Sequence, residues 1–196
     1  MKTVITLFVV LLLGSAVRGQ DSTQFLLGDD QAYSGFGGIM TSVSSIDDRA
    51  EIFFGGGGGV LINQQFFFGG YGMGNASDGY ARNFNGTDVA LEVGHGGLWL
   101  GYVLFPEKVI HAGFSSRFGW GGIGLRDASN NLLLNDNAFF LNPQAEVELN
   151  VLPFLKLNLG LEYQTAFGVR TDHFSSTDFN STYGLLGLYF GWFEDE

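Results

Sequence analysis

The sequence predicts an all-β fold, an antiparallel up-and-down transmembrane β-barrel of about eight strands. Three observations carry this. Apolar and polar residues alternate with a period of two over most of the chain, the spacing that puts successive side chains on opposite faces of a strand. The connections between these segments run alternately short and long, so tight turns collect at one end and extended loops at the other. Beyond residue 19, every apolar run is broken by glycine or by alternating polar residues, whereas a membrane helix needs roughly 20 apolar residues in succession.

The chain opens differently. Met1 and Lys2 precede an apolar run from Val4 to Leu13, and Gly14, Ser15, Ala16, Val17, Arg18 and Gly19 follow. A basic start, a short apolar core and small residues before Gln20 make 1–19 a signal peptide. Residues 20–32 form a short N-terminal segment, and 33–196 form one barrel domain. The exported chain has no cysteine, which excludes disulfides and cysteine metal sites. A formal net charge of -11 excludes nucleic acid as a partner, because neutralising phosphates takes clustered Lys and Arg.

Taken in order, the strands are expected near 33–45, 50–62, 65–75, 90–104, 109–123, 138–150, 155–168 and 181–193, most of them at or above the roughly 9–11 residues of a tilted membrane strand. The second and third enclose five consecutive glycines, Gly55 to Gly59, and the run Phe66-Phe67-Phe68. With Asn63-Gln64 as a two-residue turn, facing positions sum to 127, placing Gly55 by Gly72, Gly57 by Gly70 and Gly58 by Gly69. Such a patch removes side chains where a small barrel has no room for them. The fourth strand ends on Trp99, Tyr102 and Phe105 before a short turn. In the sixth, Phe139, Leu141, Ala145, Val147 and Leu149 oppose Asn142, Gln144, Glu146, Glu148 and Asn150. The seventh sets Leu155, Leu157, Leu159, Leu161 and Tyr163 against Lys156, Asn158, Glu162 and Gln164. Connections 76–89, 124–137 and 169–180 are long and polar, while Ile46 to Arg49 is short where the pattern calls for a long one.

This organisation resembles the small eight-stranded outer-membrane β-barrels of Gram-negative bacteria, in which the termini and short turns face the periplasm and aromatic girdles flank an apolar band. The resemblance spans the exported chain and is architectural. It implies outer-membrane lipid as surroundings and the barrel-assembly machinery as a partner during insertion. Thr182 to Phe193 is similar to the terminal strand that such barrels present to that machinery, although Glu194, Asp195 and Glu196 follow the aromatic residue.

If the polar face lines the barrel, Glu92, His111, Arg117, Glu146, Glu148, Lys156 and Glu162 share a narrow lumen, and charges there must be paired. The expected role is structural or surface interaction, with acidic loops outside, a plugged lumen, no cofactor, no metal and an unknown surface ligand. The alternative is a soluble periplasmic lipocalin-like barrel with the apolar face turned inward around a ligand. Against it, Ile52 to Gly74 carries no charge on either face, which a soluble barrel would leave as an exposed apolar surface. A lipid acyl hydrolase is a further alternative, through His173 beside Ser175 and Ser176, or His111 near Ser115 and Ser116. Asp127 to Asp136 lacks the spacing and central glycine of a calcium loop. Asn75, Asn85 and Asn180 match the glycosylation pattern, and are read as products of loop composition.

Overall fold

The computed structural model describes residues 31–46, 49–76, 82–84, 86–171 and 174–193. The expected signal peptide, His173 and the acidic residues 194–196 lie outside the described residues. Among the described residues nine strands form: β1 Tyr33–Ile46, β2 Arg49–Ile62, β3 Phe66–Asn75, β4 Arg82–Phe84, β5 Thr87–Leu104, β6 Ile110–Asp127, β7 Leu132–Leu152, β8 Leu155–Phe167 and β9 Ser181–Gly191. Every pairing is antiparallel and, apart from the short β4, follows chain order. The ring closes where β1 meets β9, from Phe36 opposite Gly191 to Val43 opposite Gly184. Because β4 pairs with β5 alone, over Arg82–Val89 to Phe84–Thr87, the barrel itself has eight strands. It is all-β and closed, so it leaves no long edge.

The short connections 63–65, 105–109 and 153–154 lie at one end. The two ends of the barrel chain lie there too: Asn63 N donates to Ala32 O at 2.8 Å, and Gly191 N to Phe154 O at 3.1 Å. At the opposite end the strands outrun the expected loops. Residues 124–137 form the tops of β6 and β7 around a connection of only 128–131, and β5 begins at Thr87. Lack of alternation hid these segments: Leu132, Leu133 and Leu134 stand in succession and Asn135, Asp136 and Asn137 follow, and a strand rising out of an apolar layer need not alternate. The 168–180 connection contains a 3-10 turn, Ser176–Phe179.

The β2–β3 register also departs from expectation. Facing residues sum to 128, so Gly56 opposes Gly72, Gly58 opposes Gly70 and Gly59 opposes Gly69. Asn63 and Gln64 do form the turn, both at positive φ (51° and 55°), a conformation found in tight hairpins. Gln65 is the extra residue. Its N–H bonds Ile62 O at 3.0 Å, while its carbonyl accepts from Val103 N on β5 at 2.7 Å, so Ile62 pairs with Phe66. A one-residue slip exchanges the faces of a strand: Phe67 and Tyr71 are buried, and Phe68 is exposed. The glycines then make room for rings. A Cβ on Gly57 would stand 3.2 Å from the Trp99 indole and 2.8 Å from Gly70 O, and one on Gly101 would run into the Phe67 ring.

Candidate functional site

The faces of β6, β7 and β8 decide which way the barrel is turned. On β8, Asn158 is 0% exposed and Glu162 3%, whereas Leu159 is 54% exposed and Leu161 63%. The polar residues point inward and the leucines outward, opposite to a lipocalin-like barrel. One lumen wall, from β6 to β8, therefore carries most of the charges, with Glu51 of β2 also buried. The other, from β1 to β5, carries glycines and aromatic rings.

Three polar groups succeed one another from the short-turn end. In the first, Glu148 Oε2 accepts from Lys156 Nζ at 3.2 Å and lies 2.9 Å from His111 Nε2, whose Nδ1 is 2.9 Å from Lys108 O. In the second, Glu146 is held by neutral donors, Ser115 Oγ and Asn158 Nδ2. In the third, Arg117, fully buried, pairs with Glu162, which also accepts from Asn142 Nδ2 at 2.8 Å. The Arg117 guanidinium further meets the sulfurs of Met40 and Met73 and the Tyr71 ring, 5.3 Å from its centroid. Burying these ions costs several kcal/mol each in lost hydration, so the pairing chiefly fixes one arrangement of the lumen and adds little to stability.

Aromatic groups fill the rest. Phe36, Phe67, Trp99 and Tyr189 meet edge to face at 5.0–6.0 Å beside the first polar group. Nearer the loop end, His95 stacks on Phe140 at 4.8 Å, Tyr71 OH lies 3.0 Å from His95 Nδ1, and Phe53 meets Tyr183 at 5.5 Å. Phe179, from the 3-10 turn, enters the loop-end mouth at 1% exposure, and Gln164 Nε2 donates to its carbonyl at 3.0 Å. Beside the aromatic quartet a cavity of about 20 Å³ remains, room for about one water.

Of the seven lumen residues expected from sequence, six are buried inside the barrel, and Glu92 is not. On β5 the odd positions Leu91, Val93 and His95 are buried. Glu92 therefore faces out near the loop end, where Arg126 Nε donates to it at 2.7 Å. Asn142, Gln144, Asn158 and Gln164 complete the network, and their alternation with apolar residues was the signal for them. Nothing in the sequence marked the Tyr71–His95 pair.

The candidate pair His111 and Ser115 is taken up in the lumen network. Both ring nitrogens of His111 are taken by Glu148 and Lys108, and Ser115 turns to Gln144 and Glu146. Among the described residues, no group of three or more His, Asp or Glu side chains is placed to hold a metal.

By sequence, no family model and no curated protein matches the chain. By structure it is similar to Neisserial surface protein A, with a TM-score of 0.57 and 12% identity over 85% of this chain and 100% of that one. The N-terminal β-barrel domain of Pseudomonas aeruginosa OprF aligns with a TM-score of 0.52 and 10% identity, over 81% and 96% of the two chains. For Ail, the attachment invasion locus protein of Yersinia pestis, the values are 0.50, 13%, 82% and 97%. At such identities the likeness is one of fold, that of the small eight-stranded outer-membrane barrels.

Proposed function

We propose that the chain is exported, loses residues 1–19, and spans the outer membrane as a sealed, non-catalytic barrel whose acidic loops face outward in a structural or surface-interaction role. The outward face carries this reading. Ile39, Val43, Leu98, Leu100, Val147, Leu159, Leu161, Leu186 and Leu188 are all exposed on it. Aromatic residues flank that band, with Trp120, Phe139 and Phe167 in register toward the loop end and Phe105, Phe154 and Trp192 exposed at the short-turn end. The 13 residues of β8, at about 3.3 Å each and a tilt of about 40°, reach roughly 33 Å, close to the hydrocarbon thickness of a bilayer. Water would not tolerate so broad an apolar surface on a monomer; lipid would.

Sealing follows from size, since about eight strands leave an interior that side chains can fill. The terminal strand, with Trp192 and Phe193 beyond it, supports recognition by the assembly machinery. Cell fractionation, followed by gel mobility of the detergent-extracted protein with and without boiling, tests the reading. Recovery in the outer membrane with a heat-dependent mobility shift is expected; recovery in the soluble periplasm would overturn it.

A further inference from the structure

At the short-turn end, a groove crosses the lip of the barrel between the start of β1 and the end of β9. Its floor has no side chains at Gly35 and Gly191, and Tyr33, Phe154 and Trp192 flank it. Those three aromatics are exposed at 48%, 54% and 76%. Among the described residues no charged side chain lines it. At its base lies Gln64, held at 7% exposure. The amide nitrogen of Gln64 donates to Ser34 Oγ and to Trp192 O, both at 3.4 Å. Because the Trp192 carbonyl can only accept, the amide is oriented: its nitrogen faces Trp192, and its Oε1 is left buried without a partner. A buried carbonyl without a donor is costly, so it favours a ligand that brings one.

We infer that this groove binds the headgroup of an amine-bearing phospholipid of the ethanolamine type, with Gln64 Oε1 accepting from the ammonium and the start of an acyl chain lying over Gly35 and Gly191. The inference rests on the membrane reading above, which puts the lip at the level of lipid headgroups. The chemistry of the lining selects the ligand. A phosphate alone would find no Lys or Arg among the described lining residues, whereas anions are gripped by charge-assisted donors. An ammonium finds the acceptor it needs and an exposed indole, the strongest of the aromatic faces for a cation. A choline headgroup has no N–H to give Gln64, and a glycerol headgroup has no positive charge for Trp192.

The test is native mass spectrometry of the full chain extracted from nanodiscs that contain equal parts of ethanolamine, choline and glycerol phospholipids with identical acyl chains. The wild type is expected to retain the ethanolamine lipid about three- to tenfold over each of the other two, the equilibrium weight of one hydrogen bond. Gly35→Leu fills the floor without disturbing the strand, because a Cβ there meets nothing nearer than Gly59 O at 3.9 Å; it should abolish the enrichment. Gln64→Glu places an anion beside the ammonium and should raise it. Retention in the bulk ratio, or enrichment that survives Gly35→Leu, overturns the inference, and so does equal retention of all three headgroups. The heat-dependent gel shift of the same samples separates the two readings. A shifting, inserted barrel with bulk-ratio lipid sinks this inference alone, while a chain that never enters the bilayer sinks the membrane reading as well.

Discussion

Arg117 and Glu162 form the most deeply buried ion pair described in the barrel, and neither has water to fall back on. Breaking one side strands the other charge, so Glu162→Gln or Arg117→Met should destabilise the barrel by about 3–5 kcal/mol, whereas Arg117→Met with Glu162→Leu should restore most of that loss. Urea unfolding in lipid vesicles measures both, and a double variant as unstable as the singles would contradict the pairing. Glycines divide along similar lines. Gly57→Ala drives a methyl against Gly70 O and the Trp99 ring, while at Gly122 a Cβ meets nothing within 4 Å. The first should cost about 1–3 kcal/mol, as overpacking does, and the second close to none. At this scale the sequence was readable where alternation is clean: Lys156, Asn158, Glu162 and Gln164 share one face of β8 as they share one parity. It was unreadable in the glycine-rich wall, because Gly55 to Gly59 show no side-chain period from which to assign Tyr71 and His95 a direction.

Strands were legible over the stretches that alternate, and their ends were not. β6 and β7 run on past the apolar band through Arg126, Asp127 and Asn135, where apolar and polar residues no longer alternate, and one unpaired residue, Gln65, shifted the β2–β3 register. The β6–β7 tip is tied by Asp127, whose carboxylate accepts from Asn131 Nδ2 and from the backbone N–H groups of Asn131 and Ser129. These bonds, led by the Asn131 side chain, hold the Asp127 carboxyl below its usual range. A depressed carboxyl contributes order above the ordinary carboxylate value and loses it as pH falls through the folded one. The protection of amides 129–131, taken relative to the intrinsic exchange rate at each pH, should therefore be high at neutral pH and fall only in acid; the same protection at both would count against the tie. The 168–180 connection acts at the loop-end mouth, since Phe179 sits in the lumen and Asn180 Oδ1 accepts from Ala166 N at 2.9 Å. Phe179→Ala should speed amide exchange around Gln164 and Ala166 while the gel shift persists. Unchanged exchange would mean that Phe179 does not close the mouth.

Taken whole, the molecule is a sheet rolled with its charges inside. Its class and strand number could be read from alternation and connection lengths, but the direction of the faces could not, because a period of two is the same inside out. Only the closed ring, with Asn158 buried and Leu159 exposed, gives the direction. A lumen filled at three levels should carry no steady current in planar bilayers, and a stable single-channel conductance of the wild type would contradict the packing. The orientation itself can be tested cleanly because the chain has no cysteine: single cysteines at Leu98, Val147, Leu159, Leu161 and Leu186, spin-labelled in lipid vesicles, are unique probes. All five should be open to lipid-dissolved oxygen and closed to a water-soluble relaxing agent. Labels reached from water, or shielded from both reagents, would show that the leucine face does not meet lipid.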